Sequence, residues 1–384
     1  MKSIVGIITE YNPFHNGHLY QIKQVKKAFP NAPLVIAMSG NFLQRGEPAI
    51  IDKWHRAKEC LANGADLVME MPVLAAVQAA DRFAYYGVWT HFQMGVTDLF
   101  FGAEHSDYDF MNFAKIVKDI KGDFTKRNES FARSYQRIIT EKIGHSVEQP
   151  NDLLGLAYAK ANLKLNANIN LHPIQRKNAN YHDMHLQETG TIASASAIRR
   201  ALFNNDDEIE KFVPAETLSD LLSQRLVSWD DFWMHLKMEL LTHNPEELAE
   251  IYGMSEGIQY RMIEMANRSE TSQNFESWIK AVKNKRFTYT RLSRLAVMTL
   301  LHVTKSDFEK FQQMPYLRVL GFTSKGREVL HNAKKKTEFP IITNVSADDK
   351  RKIMNVDYKA GKMYQSINGT EQDLKNMPIM FNKE

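Results

Sequence analysis

Over the first hundred residues, short runs that are apolar at nearly every position alternate with stretches in which apolar residues recur every three or four positions. The runs are residues 3–9 (SIVGIIT), 33–40 (PLVIAMSG), 65–72 (ADLVMEMP) and 97–105 (TDLFFGAEH). Continuous apolar character is expected of strands covered on both faces. Between them, Leu19, Ile22, Val25 and Phe29 fall near one face of a helix over residues 19–29. Further helical patterns cover residues 52–64, where Gly64 suits a helix end, and residues 73–94. This alternation predicts an α/β fold with a parallel sheet. Helices are expected over residues 108–121, 129–143 and 152–164, and another strand over residues 167–176.

The pattern changes after residue 205. Residues 206–313 read as helical without strand alternation, and the turn-favouring Asn204-Asn205-Asp206-Asp207 marks the change. Beyond Pro315 the reading is a small α/β-like piece, with a helix or loop-helix over residues 321–336 and a strand over residues 339–346. The expected organisation is therefore residues 1–205, 206–314 and 315–384.

Length and composition then narrow the classes. A chain of 384 residues exceeds the usual single domain. No apolar run approaches the ~18 residues that cross a bilayer, and the chain is expected to be cytoplasmic, with neither membrane nor stable protein partner. The single cysteine, Cys60, rules out an intrachain disulfide and a cysteine-rich zinc site, and its helical setting suggests burial. A net charge of +4 decides nothing by itself; where the cations cluster matters more.

The chemistry concentrates in residues 8–20, ITEYNPFHNGHLY, where a strand passes through a loop into a helix. His15 and His18 then lie at a helix N-terminus, whose amides and dipole favour an anion. Gly17 permits close backbone approach, and imidazoles can donate to phosphate oxygens as pyrophosphate leaves. No Walker or Gly-x-Gly-x-x-Gly pattern is present, and two histidines without a third ligand assign no metal site. Further on, residues 191–199 (TIASASAIR) read as a Ser-rich turn opening a helix, in which Ser194 and Ser196 can cap and meet phosphate. Arg199 supplies fixed positive charge there.

The run Pro13-Phe-His-Asn-Gly-His18, with the Ser-rich turn, resembles the signatures of HIGH-type nucleotidyltransferases. That resemblance implies a Rossmann-like domain binding ATP and releasing pyrophosphate. A closer one is to the bacterial tRNA(Met) cytidine acetate ligase family. It is carried by GIITEYNPFHNGHLYQI, MSGNFLQRGEPAIIDKWHRAKECLANGADLVMEMP, FFGAEH, QPNDLLGLAYAK, IQRKNANYHD, TIASASAIRRAL, LGFTSKGREVL and FPIIT, in order from residue 6 to about residue 344. It implies a two-step ligase: acetate attacks the α-phosphate of ATP to give acetyl-adenylate, and the acetyl group passes to N4 of the wobble cytidine of elongator tRNA(Met). His15, His18 and Arg199 would be catalytic. ATP contacts would fall on Ile7, Ile8, Thr9, Glu10, Tyr11, Asn12, Pro13, Phe14, His15, Asn16, Gly17, His18, Leu19 and Tyr20, then Gly102, Asn151, Arg176, Ser194 and Ser196. The family more commonly carries a run of Ser and Thr where this chain has TIASASAIR.

Read physically, Gly102 at a strand end lets a nucleotide approach backbone. The Asn151 amide suits a base edge, a ribose hydroxyl or a helix cap, and Arg176 suits phosphate. The polar, Gly-interrupted residues 38–50 are expected at the substrate pocket, with Arg45 or Lys53 as candidates for acetate or tRNA. Tyr181, His182, Asp183 and His185 form a further polar cluster, expected near the tRNA-facing mouth. Lys280, Lys283, Lys285, Arg286, Arg291 and Arg294 form a basic run without an acid, with Phe287 and Tyr289 interleaved. Such a run suits phosphates and unpaired bases. A second run comprises Lys325, Arg327 and Lys334 to Lys336. Mg²⁺ is possible beside ATP, though no carboxylate cluster announces a site. Two alternatives share the ATP motifs: an adenylyltransferase acting on a small phosphorylated metabolite, and an ATP-sensing RNA-binding module.

Overall fold

The computed structural model describes residues 3–118, 131–144, 146–176, 190–204, 207–268 and 270–382. Chain order begins β1 (Val5–Thr9), α1 (Asn16–Ala28), β2 (Leu34–Ser39), α2 (Lys53–Ala62), β3 (Leu67–Met71), α3 (Val73–Ala76), α4 (Ala80–Gln93) and β4 (Asp98–Ala103). It continues with α5 (Phe110–Val117), α6 (Phe131–Ile143), α7 (Pro150–Leu165), β5 (Asn170–Gln175), α8 (Ala195–Phe203) and α9 (Ala215–Ser223). Six more helices follow: α10 (Trp229–Thr242), α11 (Pro245–Ala249), α12 (Ile258–Asn267), α13 (Phe275–Val282), α14 (Tyr289–Leu300) and α15 (Lys305–Gln313). Last come β6 (Leu317–Phe322), α16 (Ser324–Ala333), β7 (Ile341–Ile342), α17 (Ala347–Lys352), α18 (Asn355–Asn368) and β8 (Ile379–Met380).

The strands form one mixed sheet in the order β5-β4-β1-β2-β3-β6-β7, with β8 also on β6. Its pairs are parallel except β3 with β6. Successive residues of β1 and β2 serve opposite faces. Val5, Ile7, Leu34, Ile36 and Met38 meet the core under α1 and α2. Ile8, Val35 and Ala37 meet the core under α4 and α7. Burial on both faces explains why these strands read as unbroken apolar runs. The chain leaves β1 toward β2 on one side, while β4 lies on the other. Strand order thus reverses between β1 and β4, and their carboxyl ends border the crevice where open α/β sheets take ligands.

The core beneath α4 continues without a break through Phe42 and Phe232 to Trp278, Leu295 and Met298 of the helical region. Residues 315–384, set apart in the sequence reading, extend the same sheet through β6. Gly321 and Phe322 finish that strand, and the helix or loop-helix expected over residues 321–336 is the helix Ser324–Ala333 after it. Of the strand expected over residues 339–346, only Ile341–Ile342 pairs. The long helix expected over residues 73–94 is two helices with a break at Val77.

Two buried cations secure the end of the sheet that carries the crevice. Arg56, fully buried, donates to the carbonyls of Glu10 (2.7 Å), Ser39 (3.1 Å), Ile51 (3.2 Å) and Gly40, tying the ends of β1 and β2 together. Lys53, a sequence candidate for substrate contact, is instead 1% exposed and bonded to Glu70 (2.9 Å) and Asp373 (2.7 Å). Its partner lies 320 residues away, a pairing invisible in the sequence.

Candidate nucleotide site

His15 is the N-cap of α1, and the geometry of the two histidines is reciprocal. The Gly17 N–H donates to His15 Nδ1 (3.0 Å), and the His15 N–H donates to His18 Nδ1 (3.2 Å). The rings stack with centroids 3.6 Å apart, backed by Tyr11 at 4.6 Å and Phe14 at 5.7 Å from His18. This explains the glycine between them: a Cβ on Gly17 would lie 2.8 Å from the His15 ring. The tight packing is a different reason from the phosphate approach expected of Gly17.

Burial, reinforced by Arg176 and Arg199, pushes the His15 imidazole down to about 3. Burial also holds His18 well below its ordinary value, with His15 and Arg176 adding to the effect. Both rings are therefore neutral at pH 7. Because each Nδ1 accepts a backbone N–H, the single proton of each neutral ring belongs on Nε2. The pair thus offers two uncharged N–H donors at the start of a helix, and a protonated Nε2 is no metal ligand.

The rings line a cleft of about 300 Å³. Around them the structure gathers Ile8 to Asn12, Gly17, Tyr20, Gly102, Asn151, Arg176, Ser194, Ser196 and Arg199, drawn from five separate chain segments. Ile7 and Phe14 are instead core residues on the far face of the sheet. Leu19 packs against the same core. Asn16 is spent on structure: its N–H donates to the Phe212 carbonyl (2.9 Å), and its amide donates to those of Thr191 (2.9 Å) and Lys211 (3.0 Å). The Asn12–Pro13 peptide is cis. Asn12 Oδ1 accepts from the Ile50 N–H at 2.7 Å.

Two of the cations facing the cleft, Arg199 and Arg176, lie against carboxylates. Arg199 donates to Glu47 (3.0 Å) and to the Asn12 carbonyl (2.8 Å). Arg176 lies 3.9 Å from Glu104. Glu104 also caps α7, accepting from the Asn151 and Asp152 N–H groups at 3.1 Å and from the Asn151 amide at 2.5 Å. Asn151 is therefore in the first turn of α7 and not its cap residue, which is Gln149. Ser194 caps α8, accepting from the Ala197 N–H at 3.1 Å.

Sequence reasoning missed Tyr158, which lines the same cleft; Gln44, Arg45 and Glu47, within the segment expected at the pocket, reach it as well. Residues 38–50 are only partly polar wall: Phe42, Leu43, Ala49 and Ile50 are buried. The loop is anchored at Gly46, whose carbonyl accepts from Trp229 Nε1 (2.8 Å) and Ser293 Oγ (2.7 Å). Gly46 has φ +80°, and a Cβ there would lie 2.3 Å from the backbone of Ser293 and Arg294. Helices α10 and α14 thereby hold the strip that carries Gln44, Arg45 and Glu47 into the cleft. The Tyr181, His182, Asp183 and His185 cluster lies outside the described residues.

The basic run straddles α13 and α14. Lys280, Lys283, Lys285 and Arg286 are exposed. Acids meet two of them: Glu276, one turn earlier on α13, pairs with Lys280 at 2.9 Å, and Glu256, 30 residues earlier, pairs with Arg286. Phe287, expected to stack on bases, is buried, with Arg291 over its ring at 4.2 Å. Tyr289 donates to Glu276 at 2.8 Å. Burial, with Arg291 and Arg45 adding to it and Asp81 opposing it, pushes Arg294 down to about 10, and the Arg294 backbone lies against Gly46, next to Arg45.

A crevice at a strand-order reversal, entered by a helix that begins in a stacked His-x-x-His pair, is a place where an open α/β sheet can take an anionic nucleotide. The HIGH Nucleotidyl Transferase family model matches residues 1–377. The chain is 51% identical over 380 residues to the tRNA(Met) cytidine acetate ligase of Ligilactobacillus salivarius, covering 98% of this chain and 100% of that one. It is 44% identical to the enzyme of that name from Leuconostoc citreum, over 98% of this chain and 97% of the relative. The crystal structure of Thermotoga maritima TmcAL in its apo form I superposes with a TM-score of 0.90 at 30% identity, covering 99% of this chain and 100% of that one. Form II of the same protein, bound with alpha-thio ATP, gives a TM-score of 0.87 at 30% identity and the same coverage. The chain belongs to the tRNA(Met) cytidine acetate ligase family of HIGH nucleotidyltransferases.

Proposed function

We propose that this protein is an ATP-dependent ligase that converts acetate to acetyl-adenylate and passes the acetyl group to N4 of the wobble cytidine of elongator tRNA(Met). The observation that carries the reading is the neutral histidine pair at the start of α1, facing Arg176 and Arg199 across one cleft. An acetate oxygen attacks the α-phosphorus, the bond to the bridging oxygen breaks, and pyrophosphate leaves. Negative charge grows on the departing and equatorial oxygens. Two Nε2–H donors and the helix N-terminus are fixed to meet it without reorganising. Arg199 and Arg176 add positive charge, exchanging Glu47 and Glu104 for phosphate.

In the second step the cytidine N4 attacks the acetyl carbon, the N–C bond forms, AMP leaves with the electrons of the carbon–oxygen bond, and the proton lost from N4 passes to solvent. The exposed cations of residues 280–286 and the path through Arg291, Arg294 and Arg45 support a tRNA backbone led toward the cleft. The test incubates the protein with ATP, labelled acetate and unmodified tRNA(Met), and digests the RNA to nucleosides. Label on cytidine, with one AMP and one pyrophosphate per acetyl group, is expected. ATP binding without label on any nucleoside would overturn the reading.

A further inference from the structure

The helical region contains a cluster that the nucleotide chemistry does not use. Glu239 lies in the last turn of α10 and His243 is the residue that caps that helix's carboxyl end, while His302 lies just past α14. One ligand atom from each lies within 4.8 Å of the other two. Both imidazole Nδ1 atoms approach Glu239 Oε2, His302 at 3.4 Å and His243 at 3.5 Å, and the rings lie 4.9 Å apart. Those separations exceed ordinary N–H···O hydrogen bonds, so mutual hydrogen bonding is a poor account of the convergence.

One further detail points to a ligand. His243 Nδ1 is 3.0 Å from the Glu239 carbonyl, and donating there leaves Nε2 with a free lone pair. A ligating histidine is commonly oriented in this way, its other ring nitrogen bonded to a backbone carbonyl. His302 has φ 47°, in the left-handed region at a helix end, where histidine is among the residues tolerated.

We propose that Glu239, His243 and His302 form a Zn²⁺ site with water as fourth ligand. Two imidazoles and one carboxylate suit a tetrahedral, borderline-soft divalent ion, whereas Mg²⁺ and Ca²⁺ select all-oxygen sets. The ion fastens the carboxyl end of α10 to the turn after α14. At their other ends the same two helices grip Gly46 through Trp229 and Ser293. The metal thus braces the helix pair that holds the cleft loop, and its role is structural.

The test titrates Zn²⁺ into the metal-free full-length protein by calorimetry, beside His243→Ala and His302→Asn, the latter compatible with a left-handed backbone. Co²⁺ substitution supplies a spectroscopic readout, and circular dichroism without metal verifies that each variant folds. Expected are one saturable site, visible bands of four-coordinate Co²⁺, and binding at least ~100-fold weaker in each variant, since even outer-shell changes cost about 10–100-fold. A Zn²⁺-dependent rise in Tm should occur in the parent protein alone. No saturable binding, or equal binding by parent and folded variants, would overturn the proposal.

Discussion

At the scale of single residues, the account rests on where one proton resides in each of two rings. His15 and His18 are neutral because burial outweighs the solvation of an imidazolium, with the facing arginines acting in the same direction. Acetate-dependent exchange of pyrophosphate into ATP should therefore show no imidazole titration between pH 6 and 8. A rate profile with a limb near 6.5 that disappears in His18→Gln would contradict this. Gly17→Ala drives a methyl to within 2.8 Å of the His15 ring, and the same exchange should fall by more than ~10-fold, an estimate for displacing a preorganised donor. The His-x-x-His spacing and the glycine were legible in the sequence. The reciprocal Nδ1 bonds that fix the tautomer required the turn itself.

His91 carries a separate pH consequence. Burial pushes its imidazole down to about 4, beneath Gly6 and away from the cleft. Below pH 6.5 the unfolded chain takes up a proton that the native state refuses, so stability is complete above that value and declines toward pH 4. Between pH 7.5 and 5 this amounts to about 2 kcal/mol for the one group, from 1.36 kcal/mol per unit. Urea denaturation at the two pH values should show that difference diminish in His91→Phe. An unchanged pH dependence in that variant would remove His91 as its source.

At the scale of elements, the sheet was readable wherever burial is two-sided, because β1 to β4 are apolar at almost every position. Where a strand is paired by distant segments the sequence signal fails. β6 reads ambiguously because Arg318 and Gly321 interrupt its apolar run, and its partner β3 lies some 250 residues earlier. The strip from Leu43 to Glu47 was legible as polar but not as a wall held from behind by α10 and α14. Gly46→Ala places a Cβ 2.3 Å from the Ser293 and Arg294 backbone and should detach that wall. Tm should fall by several degrees, matching a loss of about 1–3 kcal/mol for an incompatible backbone substitution. A variant with unchanged Tm and full activity would show that the anchor is dispensable.

At the scale of the whole molecule, one continuous core joins the sheet to the helical region, so the cleft and the exposed cations around Lys283 and Lys285 belong to one body. The sequence displayed those cations as an unbroken basic run, but not that Glu256, 30 residues earlier, meets Arg286. Replacing Lys283 and Lys285 together by alanine should weaken tRNA binding and reduce its salt slope by about 2, while tRNA-independent exchange is unchanged. Equal salt slopes for the parent and the double variant would place the tRNA elsewhere.

The central claim is that the histidine pair stabilises adenylyl transfer. Acetate-dependent pyrophosphate exchange by His18→Ala, measured without tRNA and beside its ATP affinity, tests it most directly. The account predicts exchange reduced by about 10²–10³, the usual cost of a lost preorganised donor, with ATP binding changed far less. Exchange at the parent rate would contradict it.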